Sequence, residues 1–468
     1  MHNSFLLNFF KYLDKKDRRE LRKAVRSPFF NQKDELIRLF DCLDKHIDNP
    51  KVALSQAWVF EQVFPDKPFN ALALHRAASA LTQLTRRFLA ISEFENTPPQ
   101  YQLSLTRALR QRQATKMYEH ELKEAKLFLE KQPLRNAAFH LQHYMLLLDE
   151  YDYKRQHKRE GDLPVQELSD NLDNFYVTEA LRQACAMKAH QTVSAQLTYQ
   201  QPFSAAVLAH LDVDKMRDIP SIAAYFYAFK AQNDENTEGS YFEKLKDLLI
   251  NERHFFNDEE LKNLYILAIN YCVKQQNRGK TAFIQEALDL YEAGLKNKIL
   301  LDNGSISQYA YRNMTLLAMK AGNWQKAEEL LETYKKYLPS LDRENVYKYN
   351  AAILNFRQGN ADKAMLLLQE TQLREPLFNL DARRLLARIY FEKNEKDALE
   401  SLTISSRIYL NRQKNIGYQK DMYENFFIFI MKIAKLDAQS TLKKAALKAD
   451  IAATELLAEK KWLLDILA

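Results

Sequence analysis

The chain has 468 residues with only 8 glycines and 12 prolines, and a net charge of +7 from 68 basic and 61 acidic side chains. So few turn formers exclude folds built from many tight hairpins or glycine-rich loops, which rules against β-sandwiches, propellers and dinucleotide-binding sheets. At 46% hydrophobic and 28% charged residues, the composition is that of a folded globular chain, and its mild basic excess is no nucleic-acid signature in itself.

The positive charge is uneven. Residues 1–150 carry +6 and residues 401–468 carry +4, whereas 151–400 sum to −3. At the start, Leu6, Leu7, Phe9 and Phe10 form a short apolar run, but Asn8 interrupts it and Lys11 follows it. An export signal has the opposite order, charge first and then an unbroken apolar stretch. No stretch approaches the 18 apolar residues of a membrane span, so no membrane association is expected. Cys42, Cys185 and Cys272 are odd in number and far apart. That spacing suits neither a disulfide framework nor a zinc site, and buried thiols in a reducing cytoplasm are expected.

Next along the chain, Arg19, Arg22, Lys23 and Arg26 fall at i, i+3, i+4 and i+7, one face of a helix. Such a face could neutralise phosphates. The competing reading is a solvated face, balanced by Asp17 and Glu20, with Leu21 and Val25 packed inward.

Almost every later segment reads at helical period. Leu36, Leu39, Phe40 and Leu43 form one stripe; Tyr118, Leu122, Ala125 and Leu129 form a second; Leu261, Leu264, Tyr265, Ala268 and Cys272 form a third. The breaks are short: Ser27-Pro28, Thr97-Pro98-Pro99, Gly161 to Pro164, Ile219-Pro220 and Gly304. The proline pair makes 1–97 a small basic helical domain, followed by an irregular helical-repeat region over 101–300.

Catalytic signatures are missing. The chain has no phosphate-cradling glycine loop, no Gly-x-Ser-x-Gly and no His-Glu-x-x-His. His140 and His143 share a helix face with Asp149, Glu150 and Asp152 close behind, but no second Cys/His cluster completes a metal shell. Lys154, Arg155, Lys158 and Arg159 add a little basic surface. The expectation is a protein that is not an enzyme, with no metal and no cofactor.

From 301 to 410 the sequence repeats. Ala-Gly-Asn-Trp-Gln-Lys-Ala ends at Ala327, Gln-Gly-Asn-Ala-Asp-Lys-Ala at Ala364, and Lys-Asn-Glu-Lys-Asp-Ala at Ala398. Pro339 and Pro376 follow the first two anchors at the same interval. This pattern resembles the tetratricopeptide repeat, a helical hairpin of about 34 residues. Gly322 and Gly359 stand at the turn, Trp324 at the aromatic position, and the anchor alanines where two helices touch. Weaker units run through Ala287 and through Tyr241 to Leu249.

The resemblance implies that the first helix of each hairpin lines a concave groove that holds peptides. It puts Tyr309, Arg312, Tyr349, Asn350, Phe356, Arg383, Arg384 and Tyr390 in that groove. Aromatic and Arg side chains suit such a role because they bury large areas while keeping polar ends satisfied. Leu316 and Leu380 stand where family members that clamp a terminal carboxylate have Asn and Lys. Apolar residues between Leu442 and Ala468 supply capping helices over 411–468, which either close the array's end or fill its groove.

Arg26-Ser-Pro-Phe-Phe-Asn31 and Glu459-Lys-Lys-Trp-Leu-Leu464 resemble a group of helical proteins from Bacteroidota with no established activity. The resemblance implies one continuous helical architecture. The expected fold is therefore all-α: antiparallel helical hairpins stacked as a tetratricopeptide-like α-solenoid behind a small helical N-terminal domain. The expected function is a cytoplasmic scaffold or adaptor for a protein or peptide. The alternative is a nucleic-acid-associated regulator that uses the basic N-terminal helices.

Overall fold

The computed structural model describes residues 5–49, 54–157, 163–193, 198–200, 218–233, 240–413, 416–417, 419–436 and 441–468. Lys158, Arg159 and Gly161 lie outside them. Twenty-two α-helices occur among the described residues. The chain divides into two compact units, one of residues 1–133 and 137–176, the other of 134–136 and 177–468.

Unit 1 holds α1 (Phe5–Lys11), α2 (Lys15–Arg26), α3 (Asp34–Asp48), α4 (Gln56–Val63), α5 (Ala71–Glu95), α6 (Pro98–Gln111), α7 (Thr115–Lys131) and α8 (Ala137–His157), with the first part of α9 (Val165–Val193). Its main core joins the apolar stripes of α1 to α5, among them Phe10, Leu21, Leu39, Phe40 and Leu81. Asp14 opens α2 with a capping box shared with Asp17, so two backbone donors are satisfied at once. Pro98 and Pro99 open α6, where a fixed φ and a missing N–H are harmless. Unit 1 runs on past them to Tyr176.

In unit 2, five consecutive helical hairpins stack on one another. They are α10 (Pro220–Asn233) with α11 (Ser240–Asn251), α12 (Asp258–Asn277) with α13 (Ala282–Lys296), α14 (Gln308–Lys320) with α15 (Trp324–Lys335), α16 (Arg343–Arg357) with α17 (Ala361–Gln369), and α18 (Pro376–Glu392) with α19 (Lys396–Arg412). α20 (Gln419–Ala434), α21 (Thr441–Ala453) and α22 (Lys460–Ile466) follow, and their apolar faces share a core with Leu380 and Leu399 of the fifth hairpin.

Four of these hairpins close by one device. Gly279, Gly322, Gly359 and Asn394 adopt positive φ. The next N–H then reaches back to a carbonyl one turn earlier: Lys280 to Gln275, Asn323 to Ala318, Asn360 to Asn355 and Glu395 to Tyr390, at 2.8–3.1 Å. This satisfies an orphan carbonyl at the end of the first helix. The α6–α7 turn of unit 1 repeats it with Gln113 at φ 58° and Ala114 donating to Leu109 at 3.0 Å.

The left-handed residue sets the packing register. Ala327 and Ala364, each five residues after it, are fully buried. In the fifth hairpin that distance from Asn394 falls on Leu399, which is buried, while Ala398 is only half-buried. The anchor there is therefore Leu399 rather than Ala398. Pro376 takes the first position of α18, and Asn303-Gly304, both at positive φ, turn a two-residue β-hairpin over Leu301–Ile306.

Candidate functional site

The first helices of the third, fourth and fifth hairpins (α14, α16 and α18) meet around a buried carboxylate. Asp381 and Arg384 lie at i, i+3 on α18 and bond through Arg384 Nε to Asp381 Oδ1 at 2.9 Å. From α16 the Tyr349 hydroxyl donates to Oδ2 at 2.7 Å, and from α14 Arg312 forms an ion pair with the same carboxylate. The Tyr423 hydroxyl of α20 completes the set at 3.2 Å. Burial alone would raise the pKa of Asp381, but Arg384, Arg312 and the Tyr349 hydroxyl outweigh it and hold the carboxyl at about 2. Burial pushes the phenol of Tyr349 well above its ordinary range, reinforced by Asp381. The cluster is a fixed charge, not an acid–base pair poised near neutrality.

Above it lies a cavity of about 530 Å³, lined by Arg312, Arg357, Arg384 and Arg388 with Leu316, Ile353, Phe356 and Leu385. Arg388 lies over the Phe356 ring at 5.1 Å. The C-terminal segment reaches this face. Glu459 forms ion pairs with Arg384 and with Arg388, the latter at 3.1 Å. Three residues on, Trp462 covers the Arg388 guanidinium at 4.8 Å and donates from Nε1 to Glu392 at 3.1 Å. The chain's own C-terminus thus occupies part of the face, and the cavity remains beside it.

The eight residues assigned to a groove fall into three groups. Arg312, Phe356 and Arg384 converge on the cavity. Tyr349 and Asn350 are buried, Tyr349 as a partner of Asp381 and Asn350 with its amide on the Val346 carbonyl. Arg383, Tyr390 and Tyr309 turn to neighbours of their own: Arg383 to Asn379 and the Tyr409 ring, Tyr390 to Gln369, and Tyr309 to the edge of Phe378. Asp381, Arg388, Arg357 and Glu459 went unassigned in the sequence. The spacing Asp381, Arg384, Arg388 (i, i+3, i+7) was the available signal, three charges on one face of the helix.

In unit 1, each cation of the basic face has an acidic partner. Arg19 and Lys23 pair with Glu20, Arg22 with Asp44, and Arg26 with Asp41. His140 is buried with Nδ1 3.2 Å from the Asn171 amide oxygen. Among the described residues no cluster of three His, Cys, Asp or Glu could hold a metal ion, and no helix is long and apolar enough to cross a membrane. The three cysteines are buried thiols. No protein-family model, no curated protein and no solved structure matches the chain.

Proposed function

We propose that this protein is a non-catalytic scaffold or adaptor of the cytoplasm, and that its hairpins are tetratricopeptide-like units presenting one face to a segment of a partner protein. The observation that carries the reading is the cavity shared by three consecutive hairpins, with four arginines set among Leu316, Ile353, Phe356 and Leu385. Arginines beside aromatic and aliphatic surface are the side chains that dominate binding energy at protein interfaces. Recurrent left-handed turns at Gly322, Gly359 and Asn394 support the repeat assignment, since they set successive first helices side by side.

The test is affinity purification of the tagged full-length protein from its native cells, with nuclease treatment before mass spectrometry. A discrete protein partner that is retained by the wild type and lost by the Arg357→Glu, Arg388→Glu double variant is the expected result. Retention of every partner by that variant overturns the assignment of this face. Nucleic acid that co-purifies and leaves with salt would favour the regulator instead.

A further inference from the structure

Glu459 is an unusual residue in an unusual conformation. It precedes α22 at the position where a helix-capping residue takes extended backbone and bends its side chain back to the first turn. Instead its backbone is left-handed, at φ 54° and ψ 28°, and its side chain makes no cap hydrogen bond. Of the other non-glycine residues at positive φ, Gln113 and Asn394 sit at helix C-termini, where that conformation closes a helix. Glu459 ends no helix, and its carboxylate instead meets Arg384 and Arg388.

The two carboxylates at this face differ in kind. Asp381 has four partners and a side chain 10% exposed. Glu459 is 24% exposed, and so is within reach of water and of a competing ion. A carboxylate from another chain that makes the same bonds to Arg384 and Arg388 can exchange for Glu459, because the guanidiniums stay paired in both states. Without Glu459, Arg384 keeps its bond to Asp381 and Arg388 its bond to Glu392, but each loses one carboxylate partner at the cavity. Arg357 has no ion-pair partner among the described residues.

We propose that Glu459 is a displaceable internal occupant of an anion site formed by Arg357, Arg384 and Arg388, and that the site takes the acidic side chains of a partner peptide. The inference rests on the reading that this face holds a partner segment, and it adds that segment's chemistry and a built-in gate. The apolar lining beside the arginines suits a peptide whose acidic residues are interleaved with apolar ones. While Glu459 is seated, only the fraction of molecules with the site open can bind, and apparent affinity falls by that fraction.

The experiment measures fluorescence anisotropy of a labelled peptide of alternating glutamate and leucine, and of its glutamine counterpart, against the full chain at low salt. Glu459→Gln is expected to tighten the glutamate peptide about tenfold and to leave the glutamine peptide unchanged. Adding Arg388→Gln to that variant is expected to abolish the gain. Glu459→Gly, which removes the carboxylate and relieves the left-handed backbone, should show the same gain, and circular dichroism checks the fold of each variant.

Equal affinity of wild type and both Glu459 variants for the glutamate peptide overturns the gate, and an equal gain with the glutamine peptide overturns the charge recognition. A native partner that is lost with Arg357→Glu, Arg388→Glu but indifferent to Glu459→Gln would leave the binding face standing and remove the gate.

Discussion

The Tyr349 hydroxyl donates to Asp381 Oδ2 at 2.7 Å from a side chain that is itself 1% exposed. This bond ties α16 to α18, while Arg312 ties α14 to the same carboxylate. One buried anion therefore joins three successive hairpins. Removing it takes from Arg312 its ion pair, leaves Arg384 with Glu459 alone, and deprives two hydroxyls of their acceptor in a place that water reaches poorly. Asp381→Ala is expected to cost about 3–5 kcal/mol, the usual penalty for an uncompensated buried charge. Tyr349→Phe removes a single hydrogen bond and is expected to cost about 1–2 kcal/mol. Urea unfolding followed by circular dichroism reads both. Equal losses would mean that packing of the ring, not the charge, holds the hairpins together.

The same carboxylate gives stability an acid limb. Its folded pKa of about 2 lies below the ordinary 3.8, so the folded state favours the ionised form. The stabilisation is present above pH 3.8 and is lost as pH falls from there through about 2. The depression corresponds to about 2 kcal/mol at neutral pH. Urea titrations at pH 7, 4 and 3 should show the gap between wild type and Asp381→Asn narrowing over the lowest interval. A gap independent of pH would assign the effect to shape and not to charge.

The turn residues give a pair of opposite predictions. Gly322 has φ +73° and nothing within 4 Å of where a Cβ would stand, so Gly322→Ala meets no clash and pays only for its backbone. It is expected to lose about 1 kcal/mol. Asn394 and Gln113 carry side chains at φ 60° and 58°. Their replacement by Gly relieves that strain while adding freedom to the unfolded chain, and up to about 1 kcal/mol of stabilisation is expected, less for Asn394 because Asn tolerates the conformation. Melting temperatures of the three variants, taken side by side, check the signs.

Those turns also show what could be read from the sequence. Where glycine marks the left-handed position, as at Gly322 and Gly359, the hairpin is legible and its anchor alanine falls in place. Where another residue takes the position, the signal fades. Asn394 shifted the apparent anchor by one residue, to Ala398 instead of Leu399, and Gln113 hid the α6–α7 hairpin altogether. The site was legible only in part, for a different reason. Arg312, Phe356 and Arg384 were found because the repeat resemblance lines up the groove-facing positions of successive first helices. Period says nothing about which charged side chain will meet an anion from elsewhere in the chain. Asp381 needs two neighbouring hairpins and Glu459 arrives from 71 residues beyond Arg388, so neither role is local information.

The basic helix α2 separates charge count from charge available for binding. Arg18 is buried and bonds Asp44 at 2.7 Å and Asp48 at 2.8 Å, and the four cations beside it face Glu20, Asp41 and Asp44. Four unpaired cations meeting phosphates would give a slope of about −3.6 in log affinity against log salt. Cations already neutralised by carboxylates release few counterions, so a slope near zero is expected for a labelled DNA duplex titrated between low and physiological salt. A slope close to −3.6 that is lost when Arg19, Arg22, Lys23 and Arg26 become Ala would restore the nucleic-acid reading. Stability should separate the same residues differently. Asp44→Ala leaves the buried Arg18 with Asp48 alone and is expected to cost about 1–3 kcal/mol, whereas Lys23→Ala, in an exposed pair, should stay within about 0.5 kcal/mol. Thermal unfolding of the two variants distinguishes a helix whose charges serve the fold from one whose charges await a ligand.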